Sequence, residues 1–287
     1  MIISIASGKG GTGKTTVATN FAVSLENTQL LDCDVEEPNA HLFIKPTIDH
    51  LEDVFIPVPE VDKDVCIACG KCKEACVYNA IAVLGKTVLT FSELCHGCGA
   101  CAYVCPVQAI KEVNRKIGTV EIGYCDDLEF IYGILNIGEA MAPPVIRAVK
   151  NYINQEKTVI IDAPPGTSCP VICAAKDTDF CILVTEPTPF GLHDLTLAVE
   201  VVRKLDIPHG VVINRSTLGN DETEKYCVRE NIPVLMRIPF DKRIATAYSQ
   251  GDLIIEAMPE LRNKFKSMHT MIDELVKSFA HDKRIQS

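Results

Sequence analysis

The chain has 287 residues, of which 14 are cysteines, and 8 of these cysteines lie in one short segment from Cys66 to Cys105. The hydrophobic fraction of 47% and the charged fraction of 23% are ordinary for a globular protein, which excludes long disorder and collagen-like repeats. The net charge of −10 disfavours a protein that binds nucleic acid directly by neutralising phosphates. No apolar run approaches the roughly 20 residues that a membrane span requires.

The amino-terminal segment and the thiols together predict a cytoplasmic protein. The first residues, MIISIASGKGG, lack the charged start and the long apolar stretch of a signal peptide. Thiols stay reduced in the cytosol, where clustered cysteines hold metal more often than they form disulfides. We therefore expect the cysteine-rich segment to bind metal.

Short apolar runs rich in β-branched residues alternate with helical patterns along most of the chain. Such runs are typical of strands that are buried on both faces of a parallel sheet. The alternation implies crossover helices and therefore a doubly wound, mostly parallel α/β sheet. The predicted strands are residues 2–6, 29–31, 159–161, 180–184, 210–213 and 234–238, and the predicted helices are residues 15–25, 192–205, 221–230 and 259–279.

This alternation stops in the stretch that holds the clustered cysteines. The stretch opens with Pro57-Val58-Pro59 and is too poor in long periodic segments to form another crossover unit. We predict a small inserted domain over residues 57–118. The α/β domain is then made of residues 1–56 and 119–287.

A glycine-rich loop follows the first predicted strand and opens the first predicted helix. Its residues, Gly8-Lys9-Gly10-Gly11-Thr12-Gly13-Lys14-Thr15, match the G-x-x-x-x-G-K-[ST] phosphate-loop pattern in the context that the pattern needs. The glycines allow backbone N–H groups to face phosphates. Lys14 is expected to contact the β- and γ-phosphates, and the Thr15 hydroxyl to bind Mg²⁺. An ordinary glycine-rich turn is the alternative, and the order strand, loop, helix disfavours it.

Two acidic segments stand at the ends of predicted strands. Asp32-Cys33-Asp34 ends the second strand, and residues 162–167 end a later one. The carboxyl ends of parallel strands open onto the same edge as the phosphate loop. There, one carboxylate can hold the water shell of Mg²⁺ and another can orient or deprotonate the attacking water. Asp34 and Asp162 are the candidates; a helix cap is the alternative for an isolated aspartate.

Lys9 places a second lysine ahead of Lys14, in the run Lys9-Gly10-Gly11-Thr12-Gly13-Lys14-Thr15-Thr16. This run resembles the deviant Walker A motif of the MinD/ParA family, which includes nitrogenase iron protein and iron–sulfur carrier ATPases. The two acidic segments are similar to that family's switch I and switch II regions. Residues 210–215 resemble its strand with a base-reading asparagine, here Asn214. The resemblance covers the whole chain outside residues 57–118.

The resemblance implies an ATPase that works as a homodimer with two ATP molecules held between the subunits. It implies that Lys9 reaches the partner's nucleotide, where a cation would offset charge developing on the transferred phosphoryl group. It also implies that Asp34 positions the hydrolytic water. Thr16, Gly166 and Asn214 join the loop residues as nucleotide-binding candidates.

The clustered cysteines form two identical runs that are offset by 29 residues. Gly70 matches Gly99, and Ala80 matches Ala109, so the segment repeats beyond its thiols. The runs are Cys66-x-x-Cys69-x-x-Cys72-x-x-x-Cys76 and Cys95-x-x-Cys98-x-x-Cys101-x-x-x-Cys105.

This is the pattern of bacterial ferredoxins with two [4Fe–4S] clusters, in which the fourth cysteine of each run binds the other cluster. By that rule the expected ligands are Cys66, Cys69, Cys72 and Cys105 for one cluster, and Cys95, Cys98, Cys101 and Cys76 for the second. Val77 departs from the ferredoxin pattern, because the second run has Pro106 at this position, but no ligand is lost. Zinc is the competing interpretation of paired C-x-x-C motifs.

Six cysteines remain, and most of them are expected to be small core residues. Cys169 and Cys173 differ because they follow the second acidic segment directly. A cluster bridging two subunits is the alternative there, although the spacing departs from that of nitrogenase iron protein. The other four are Cys33, Cys125, Cys181 and Cys227.

Together, the two sites favour an ATP-dependent redox protein whose hydrolysis gates electron delivery through two [4Fe–4S] clusters. Iron–sulfur cluster assembly or transfer is the first alternative, and a MinD/ParA-like spatial organiser with redox-sensing clusters is the second. The expected cofactors are ATP, Mg²⁺ and the two clusters. The expected partners are a second copy of the chain and a redox partner or cluster acceptor, with no direct nucleic-acid contact and no membrane span.

Overall fold

The computed structural model describes residues 1–286, and its main feature is a nine-stranded sheet that carries helices on both faces. The strands are β1 Ile2–Ala6, β2 Thr28–Asp32, β3 Thr47–Val61, β4 Ile81–Leu84, β5 Thr87–Thr90, β6 Ile110–Cys125, β7 Leu128–Leu135, β8 Thr158–Asp162, β9 Phe180–Thr185, β10 His209–Ile213 and β11 Val234–Arg237. The helices are α1 Lys14–Ser24, α2 His41–Ile44, α3 Lys71–Ala75, α4 Ala100–Tyr103, α5 Pro143–Lys150, α6 Cys169–Ala175, α7 Pro189–Lys204, α8 Glu222–Arg229, α9 Lys242–Gln250, α10 Ile254–Ala257 and α11 Glu260–Gln286.

The strand order across the sheet is β11-β10-β9-β1-β8-β2-β7-β6-β3. The seven strands from β11 to β7 are parallel to one another, whereas β6 pairs antiparallel with both β7 and β3 at one edge of the sheet. This arrangement confirms the predicted α/β fold with a mostly parallel sheet. The carboxyl ends of the parallel strands meet at one edge, where ligands bind in folds of this kind.

The predicted strands and helices of the parallel part are present, and most of their ends agree within one residue. The strands β3, β6 and β7 and the helix α5 were not predicted. The last helix is longer than expected, since it continues beyond residue 279 to Gln286. None of the helices within residues 1–286 is both long enough and apolar enough to cross a membrane.

Two layers of apolar side chains hold the helices against the sheet. Helices α5, α6, α7 and α8 contribute to the cluster on one face, and α1, α2, α10 and α11 contribute to the cluster on the other. On α11, Leu261, Phe265, Met268 and Ile272 are at most 1% exposed. These residues recur at helical spacing, so burying that one face docks the helix on the sheet.

The cysteine-rich segment is attached to the sheet by its two longest strands. β3 and β6 pair along their whole length, from Thr47 opposite Tyr124 to Val61 opposite Ile110. Between them, residues 62–109 hold α3, α4 and the separate hairpin β4–β5. A small apolar cluster of Cys72, Ile81 and Ile110 lies in this segment. Because β3 and β6 run continuously through residues 57 and 118, the domain limits given above stay a prediction.

Candidate functional site

The phosphate loop connects β1 to α1, and its glycines are required by close contacts. A Cβ atom on Gly8 would lie 2.1 Å from the backbone oxygen of Asp194. Gly13 has φ +94°, and a Cβ there would lie 2.4 Å from Nδ2 of Asn214. Side chains rarely adopt this conformation, and neither position has room for one. The loop conformation therefore depends on glycine at both positions.

Two polar residues of the phosphate loop, Thr12 and Lys14, are buried. Lys14 is 6% exposed, and the Thr12 hydroxyl is buried with no hydrogen-bond partner among the described residues. Buried polar groups are normally hydrogen-bonded, so an unpartnered hydroxyl inside a phosphate loop fits a site that a ligand completes. The backbone carbonyl of Thr15 accepts a hydrogen bond from the Thr19 hydroxyl at 2.8 Å within α1. Thr16 lies on the same first turn and is half-buried.

Asp32 and Asp162 occupy matching positions on the adjacent strands β2 and β8. The Asp32 carboxylate accepts backbone N–H groups of Asp34, Asn39 and Ala40 at 3.0, 3.1 and 3.0 Å. These bonds fix the backbone conformation of the segment after β2. The position of Asp32 at the end of a strand did not predict this role. The Cys33 N–H donates to the Asp162 carbonyl at 2.9 Å, which joins the two strand ends directly.

Asp162 is the clearest candidate for a metal-site carboxylate. It is fully buried, and neither of its carboxylate oxygens has a hydrogen-bond partner of good geometry within residues 1–286. Burial raises the pKa of Asp162 to about 7, although the Thr15 hydroxyl and the Lys14 ammonium act in the opposite direction. An unpaired buried carboxylate is costly, and Mg²⁺ with its bound waters would supply the missing partners.

Asp34 lies partly open at the same edge of the sheet. Burial and the neighbouring Asp32 charge raise its pKa to about 7, and Lys14 opposes this rise. A carboxylate whose pKa lies close to neutrality is suited to accept and return a proton. Its location at this edge fits the expected water-positioning role, which stays a prediction.

Lys9 makes an ion pair within its own chain. Its Nζ lies 2.6 Å from Oε1 of Glu186, and Oε2 of Glu186 lies 2.9 Å from Nη1 of Arg215. Glu186 follows β9 directly, so it lies at the ligand-binding edge of the sheet. Sequence reasoning missed this residue, although its position after a buried parallel strand was the available signal. The expected reach of Lys9 to a partner subunit stays a prediction.

Asn214 and Gly166 hold neighbouring segments against the phosphate loop. The Asn214 side-chain amide donates to the Thr12 carbonyl at 2.8 Å and accepts the Arg215 N–H at 2.9 Å. The Gly166 N–H donates to the Ser7 carbonyl at 3.0 Å. Both residues are therefore adjacent to the loop. A base-reading role for Asn214 stays a prediction, because its amide bonds to the backbone here.

The eight clustered cysteines line two separate cavities. The cavity that we call distal is lined by Cys66, Cys69, Cys72 and Cys105, and the one that we call proximal is lined by Cys76, Cys95, Cys98 and Cys101. Pro57, Pro59 and Glu112 of the long strands also line the proximal cavity. Each cavity thus combines three cysteines of one run with the fourth of the other, the same grouping that the ferredoxin pattern predicts.

The 29-residue sequence repeat is also a repeat of hydrogen bonds. The Phe91 N–H donates to the Ala80 carbonyl, and the Asp62 N–H donates to the Ala109 carbonyl, both at 2.8 Å. Phe91 and Ala109 are the repeat equivalents of Asp62 and Ala80, so each of the two bonds joins the first half of the segment to the second. With the halves joined in this way, the fourth cysteine of each run lies beside the first three of the other.

Backbone N–H groups already face several of the sulfur atoms. Ala68 donates to Sγ of Cys66 and Gly97 donates to Sγ of Cys95, each at 3.4 Å. Such contacts stabilise negative charge on sulfur, and hydrogen bonds of this kind tune iron–sulfur clusters. The clustered thiols are all free, so they are available as ligands.

Within the described residues, no group of three or more His, Cys, Asp or Glu side chains is placed to bind a single metal ion. A zinc site needs donors that converge on one atom. In contrast, the four thiolates of a [4Fe–4S] cluster bind four different irons. Four thiols around each cavity are the donor type and number that a [4Fe–4S] cluster takes, so the residues present fit such a cluster.

The six other cysteines differ in burial. Cys33, Cys181 and Cys227 are buried, which agrees with a core role, and Cys125 is half-buried. Cys169 is exposed at the start of α6, and Cys173 is half-buried one turn later. The sulfur of Cys173 lies 3.8 Å from the Pro143 carbonyl. A bridging cluster at Cys169 and Cys173 stays the alternative prediction for this pair.

Known proteins resemble this chain over nearly its whole length. A protein of Methanocaldococcus jannaschii named "Uncharacterized protein MJ0579" is 32% identical over 95% of this chain and 97% of its own. An "Iron-sulfur cluster carrier protein" of Aquifex aeolicus is 23% identical over 96% of this chain and 68% of its own. The structure of the septum site-determining protein MinD with Mg-ADP from Pyrococcus horikoshii has a TM-score of 0.58 and 21% identity, and the match covers 97% of this chain and 98% of that one.

A family model describes most of the chain as well. Residues 3–254 match the CobQ/CobB/MinD/ParA nucleotide binding domain. This range includes the phosphate loop, both acidic segments and Asn214. The family match agrees with the mostly parallel sheet and with the structural similarity to MinD. The chain therefore belongs to the CobQ/CobB/MinD/ParA family of nucleotide-binding proteins.

Proposed function

We propose that this protein is an ATP-hydrolysing iron–sulfur protein in which a nucleotide-driven switch between two subunits controls electron transfer through two [4Fe–4S] clusters. One observation carries the proposal. The cysteines line two cavities in the crossed grouping of a two-cluster ferredoxin, and the strands β3 and β6 join those cavities to the sheet that holds the phosphate loop.

In the α/β domain that would bind the nucleotide, the residues around the phosphate loop have different roles in hydrolysis. Lys14 and the loop N–H groups bind the phosphates, and Lys14 offsets the charge that develops on the transferred group. Thr15 and Asp162 would hold Mg²⁺, whose role is to neutralise phosphate charge. Asp34 orients the attacking water and accepts its proton. The buried, unpartnered oxygens of Asp162 and hydroxyl of Thr12 support this assignment.

In the cysteine half, the thiolates of each cavity would hold one [4Fe–4S] cluster, which accepts and donates single electrons. The chain positions these thiolates in a small separate core and supplies N–H donors to Sγ of Cys66, Cys95 and Cys105. These N–H donors stabilise negative charge on the sulfur atoms and thereby affect the reduction potential of each cluster. The segment is thereby suited to electron transfer.

The two halves are joined by continuous backbone, which supports coupling between them. β6 continues into the hairpin with β7, and β7 pairs with β2, the strand that ends in Asp32. A movement of the segment after Asp32 would reach the cysteine segment through three adjacent strands. Hydrolysis would then control when electrons leave.

The test begins with anaerobic purification and quantification of iron, sulfide and zinc. We expect about eight irons per chain, since two four-iron clusters are proposed. The rate of electron transfer from the reduced protein to a one-electron acceptor dye should then depend on ATP. Lys14→Ala should abolish that dependence without changing the iron content. Stoichiometric zinc without iron would contradict the proposal, as would an electron-transfer rate that ATP leaves unchanged.

Cluster transfer is a second candidate, because several relatives are named iron–sulfur cluster carrier proteins. In that function the iron would leave the protein and appear in an apo-acceptor. Mixing the ⁵⁷Fe-labelled protein with an apo-ferredoxin and separating the two proteins distinguishes the functions. Iron that stays with this chain through repeated redox cycles favours electron transfer, and ATP-dependent loss of iron to the acceptor favours the carrier function.

A further inference from the structure

The two cysteine cavities differ in the charged side chains that line them. Glu112 lines the proximal cavity, where no lysine or arginine of the described chain is among the lining residues. Lys71 lines the distal cavity, where no described carboxylate does so. The 29-residue repeat does not share these charges, because Glu112 corresponds to Val83 and Lys71 corresponds to Ala100. Two identical runs of cysteines are therefore placed in unlike electrostatic surroundings.

The register of the two long strands holds Glu112 at the proximal cavity. Glu112 lies on β6 directly opposite Pro59 of β3, so both side chains point to the same face of the strand pair, and Pro59 lines the same cavity. A Cβ atom on Gly99 would lie 3.5 Å from Oε1 and 4.0 Å from Oε2 of Glu112. Gly99 lies between Cys98 and Cys101 in the second run. The carboxylate is therefore beside the loop that carries two of the proximal cysteines.

Neither of the two charges is neutralised by a neighbour. Within residues 1–286, Glu112 and Lys71 take part in no ion pair. Both side chains are exposed, so water and salt weaken their fields. Each charge is thus expected to have a modest effect on its own cavity and a smaller one on the other cavity.

Hydrogen bonds to sulfur differ in the same direction. In the distal cavity, Sγ of Cys105 accepts the Ala109 N–H at 3.2 Å, whereas Sγ of the repeat-equivalent Cys76 accepts no N–H of the described residues. Such a bond stabilises the more negative, reduced state of an iron–sulfur centre. Solvent exposure does not separate the cavities, because each contains one exposed cysteine, Cys69 or Cys98.

We propose that Glu112 lowers the reduction potential of the iron–sulfur centre in the proximal cavity, that Lys71 raises the potential of the distal one, and that an electron on this chain therefore rests on the distal centre. The inference rests on the proposed function and adds a direction to it. Reduction adds one electron, and so one negative charge, to a centre. A nearby anion opposes that added charge, and a nearby cation favours it.

The difference in potential determines how an electron moves within the chain. An electron that a one-electron donor gives to the proximal centre passes to the distal centre, because that centre has the higher potential. The proximal centre is then oxidised and the distal centre is reduced by one electron, with no bond formed or broken and no proton moved. The distal centre holds the electron until a one-electron acceptor removes it.

The test is a redox titration of the full-length iron-loaded protein with dithionite, monitored by electron paramagnetic resonance. Cys98→Ser leaves only the distal centre intact, and Cys69→Ser leaves only the proximal one, which assigns the two signals. In the wild type, the first signal to appear on reduction should be that of the distal centre. We expect its equilibrium constant for one-electron reduction to be about tenfold higher than that of the proximal centre, which is about 59 mV.

Glu112→Gln removes the anion without changing the size of the side chain. It should raise the equilibrium constant for reduction of the proximal centre about threefold, or about 28 mV at 59 mV per tenfold change, and should leave the distal centre nearly unchanged. Glu112→Asp keeps the charge and should stay near the wild type. Glu60→Gln is the matched control, because the exposed Glu60 is next to Pro59 on the opposite face of the strand pair and lines neither cavity.

Lys71→Gln should lower the equilibrium constant for reduction of the distal centre by a similar factor. Lys73→Gln is its control, because Lys73 is exposed on the same short helix and does not line the distal cavity. Ala100→Lys places a cation at the repeat equivalent of Lys71, where Ala100 lines the proximal cavity. It should raise the proximal potential while Glu112 is still present, and it replaces Glu112→Gln as the test if that variant loses iron.

Two results would contradict the inference and leave the proposed function intact. One is a wild type with both centres in which the proximal centre is reduced first. The other is a proximal potential that neither Glu112→Gln nor Ala100→Lys raises above that of the Glu60→Gln control. If the wild type holds no iron–sulfur centre, the proposed function and the inference are both wrong.

Discussion

Asp32 and Asp162 are paired across the parallel strands β2 and β8, and the two carboxylates have opposite surroundings. Asp32 accepts three backbone N–H groups, whereas among the described residues the Asp162 carboxylate has no hydrogen bond of good geometry and only the nearby Thr15 hydroxyl and Lys14 ammonium favour its charged form. Burial raises the pKa of both to about 7. One carboxylate therefore organises the chain after β2, and the other is left for a ligand at the same edge.

Replacing Asp162 with Asn should stabilise the nucleotide-free protein at neutral pH. The folded-state pKa of Asp162 lies above its ordinary value of 3.8, so the wild type loses stability as the pH rises from about 4 to 7. Asn removes this loss. We expect a gain of about 1 to 4 kcal/mol in the free energy of unfolding at pH 8, and little difference at pH 4. Urea unfolding at the two pH values measures it.

The same substitution should remove the stabilisation that Mg-ATP provides, since Asp162 would no longer neutralise or orient the metal. Asp49→Asn is the control, because Asp49 is exposed on β3. A variant that is less stable than the wild type at pH 8 without nucleotide would show that Asp162 is already compensated by partners.

Glu186→Gln should release Lys9 from its contact within the chain. The Lys9–Glu186 pair at 2.6 Å competes with any other use of the lysine, and a partly exposed pair of this kind contributes about 1 kcal/mol. We expect the ATPase rate at low protein concentration to rise about three- to fivefold. Lys9→Ala should lower it at all concentrations.

Steady-state ATPase assays over a range of protein concentrations, together with sedimentation velocity, measure this effect. Glu230→Gln serves as the control, since it removes an ion pair with Arg203 that lies away from the loop. Equal rates for Glu186→Gln and the wild type would mean that the contact does not restrain Lys9.

Gly13→Ala should abolish nucleotide binding. The new Cβ would lie 2.4 Å from Nδ2 of Asn214, and the residue would have φ +94°. We expect at least a hundredfold weaker ATP affinity, because strain and a steric clash each cost on the order of 1 to 3 kcal/mol. Isothermal titration with an ATP analogue measures the affinity.

Gly138→Ala separates strain from clash, since Gly138 also has positive φ but a Cβ there would meet no atom within 4 Å. It should cost about 1 kcal/mol of stability and leave nucleotide affinity unchanged. The double variant Gly13→Ala with Asn214→Ala should regain part of the binding if the clash dominates. A Gly13→Ala protein that binds ATP normally would contradict the importance of this contact.

Cys76→Ser and Cys98→Ser should affect the same iron–sulfur centre, although these cysteines belong to different runs. Both line the proximal cavity. Each variant should lose about four of eight irons, and its remaining spectroscopic signal should be that of the distal centre. Iron analysis and electron paramagnetic resonance of the variants measure this.

Cys125→Ser is the control, because Cys125 lies at the end of β6 outside both cavities. We expect it to keep all of its iron. If Cys76→Ser instead resembled Cys69→Ser, the ligands would not be crossed between the runs, and the assignment of the cavities would be wrong.

Local patterns were enough to predict the parallel strands, the phosphate loop and the repeated cysteine runs. Each depends on residues that are close in the chain: β-branched apolar runs, glycines that open a helix, and a fixed spacing of thiols. The strands β3 and β6 were not predicted, because half of their length is exposed and their hydrophobic pattern is weak. They form through pairing with each other and with β7, which is a long-range interaction.

The sequence by itself therefore determined the α/β class, the membership of Lys14 and Thr15 in a phosphate loop, and the crossed-ligand hypothesis. Only the tertiary structure decided that Asp32 binds backbone N–H groups while the Asp162 carboxylate has no hydrogen bond of good geometry within the described residues, that Lys9 contacts Glu186, and that Arg115 contacts Glu139. The partners in these contacts are up to 177 residues apart in the chain. Strand register and helix packing bring them together, and no local pattern encodes those distances.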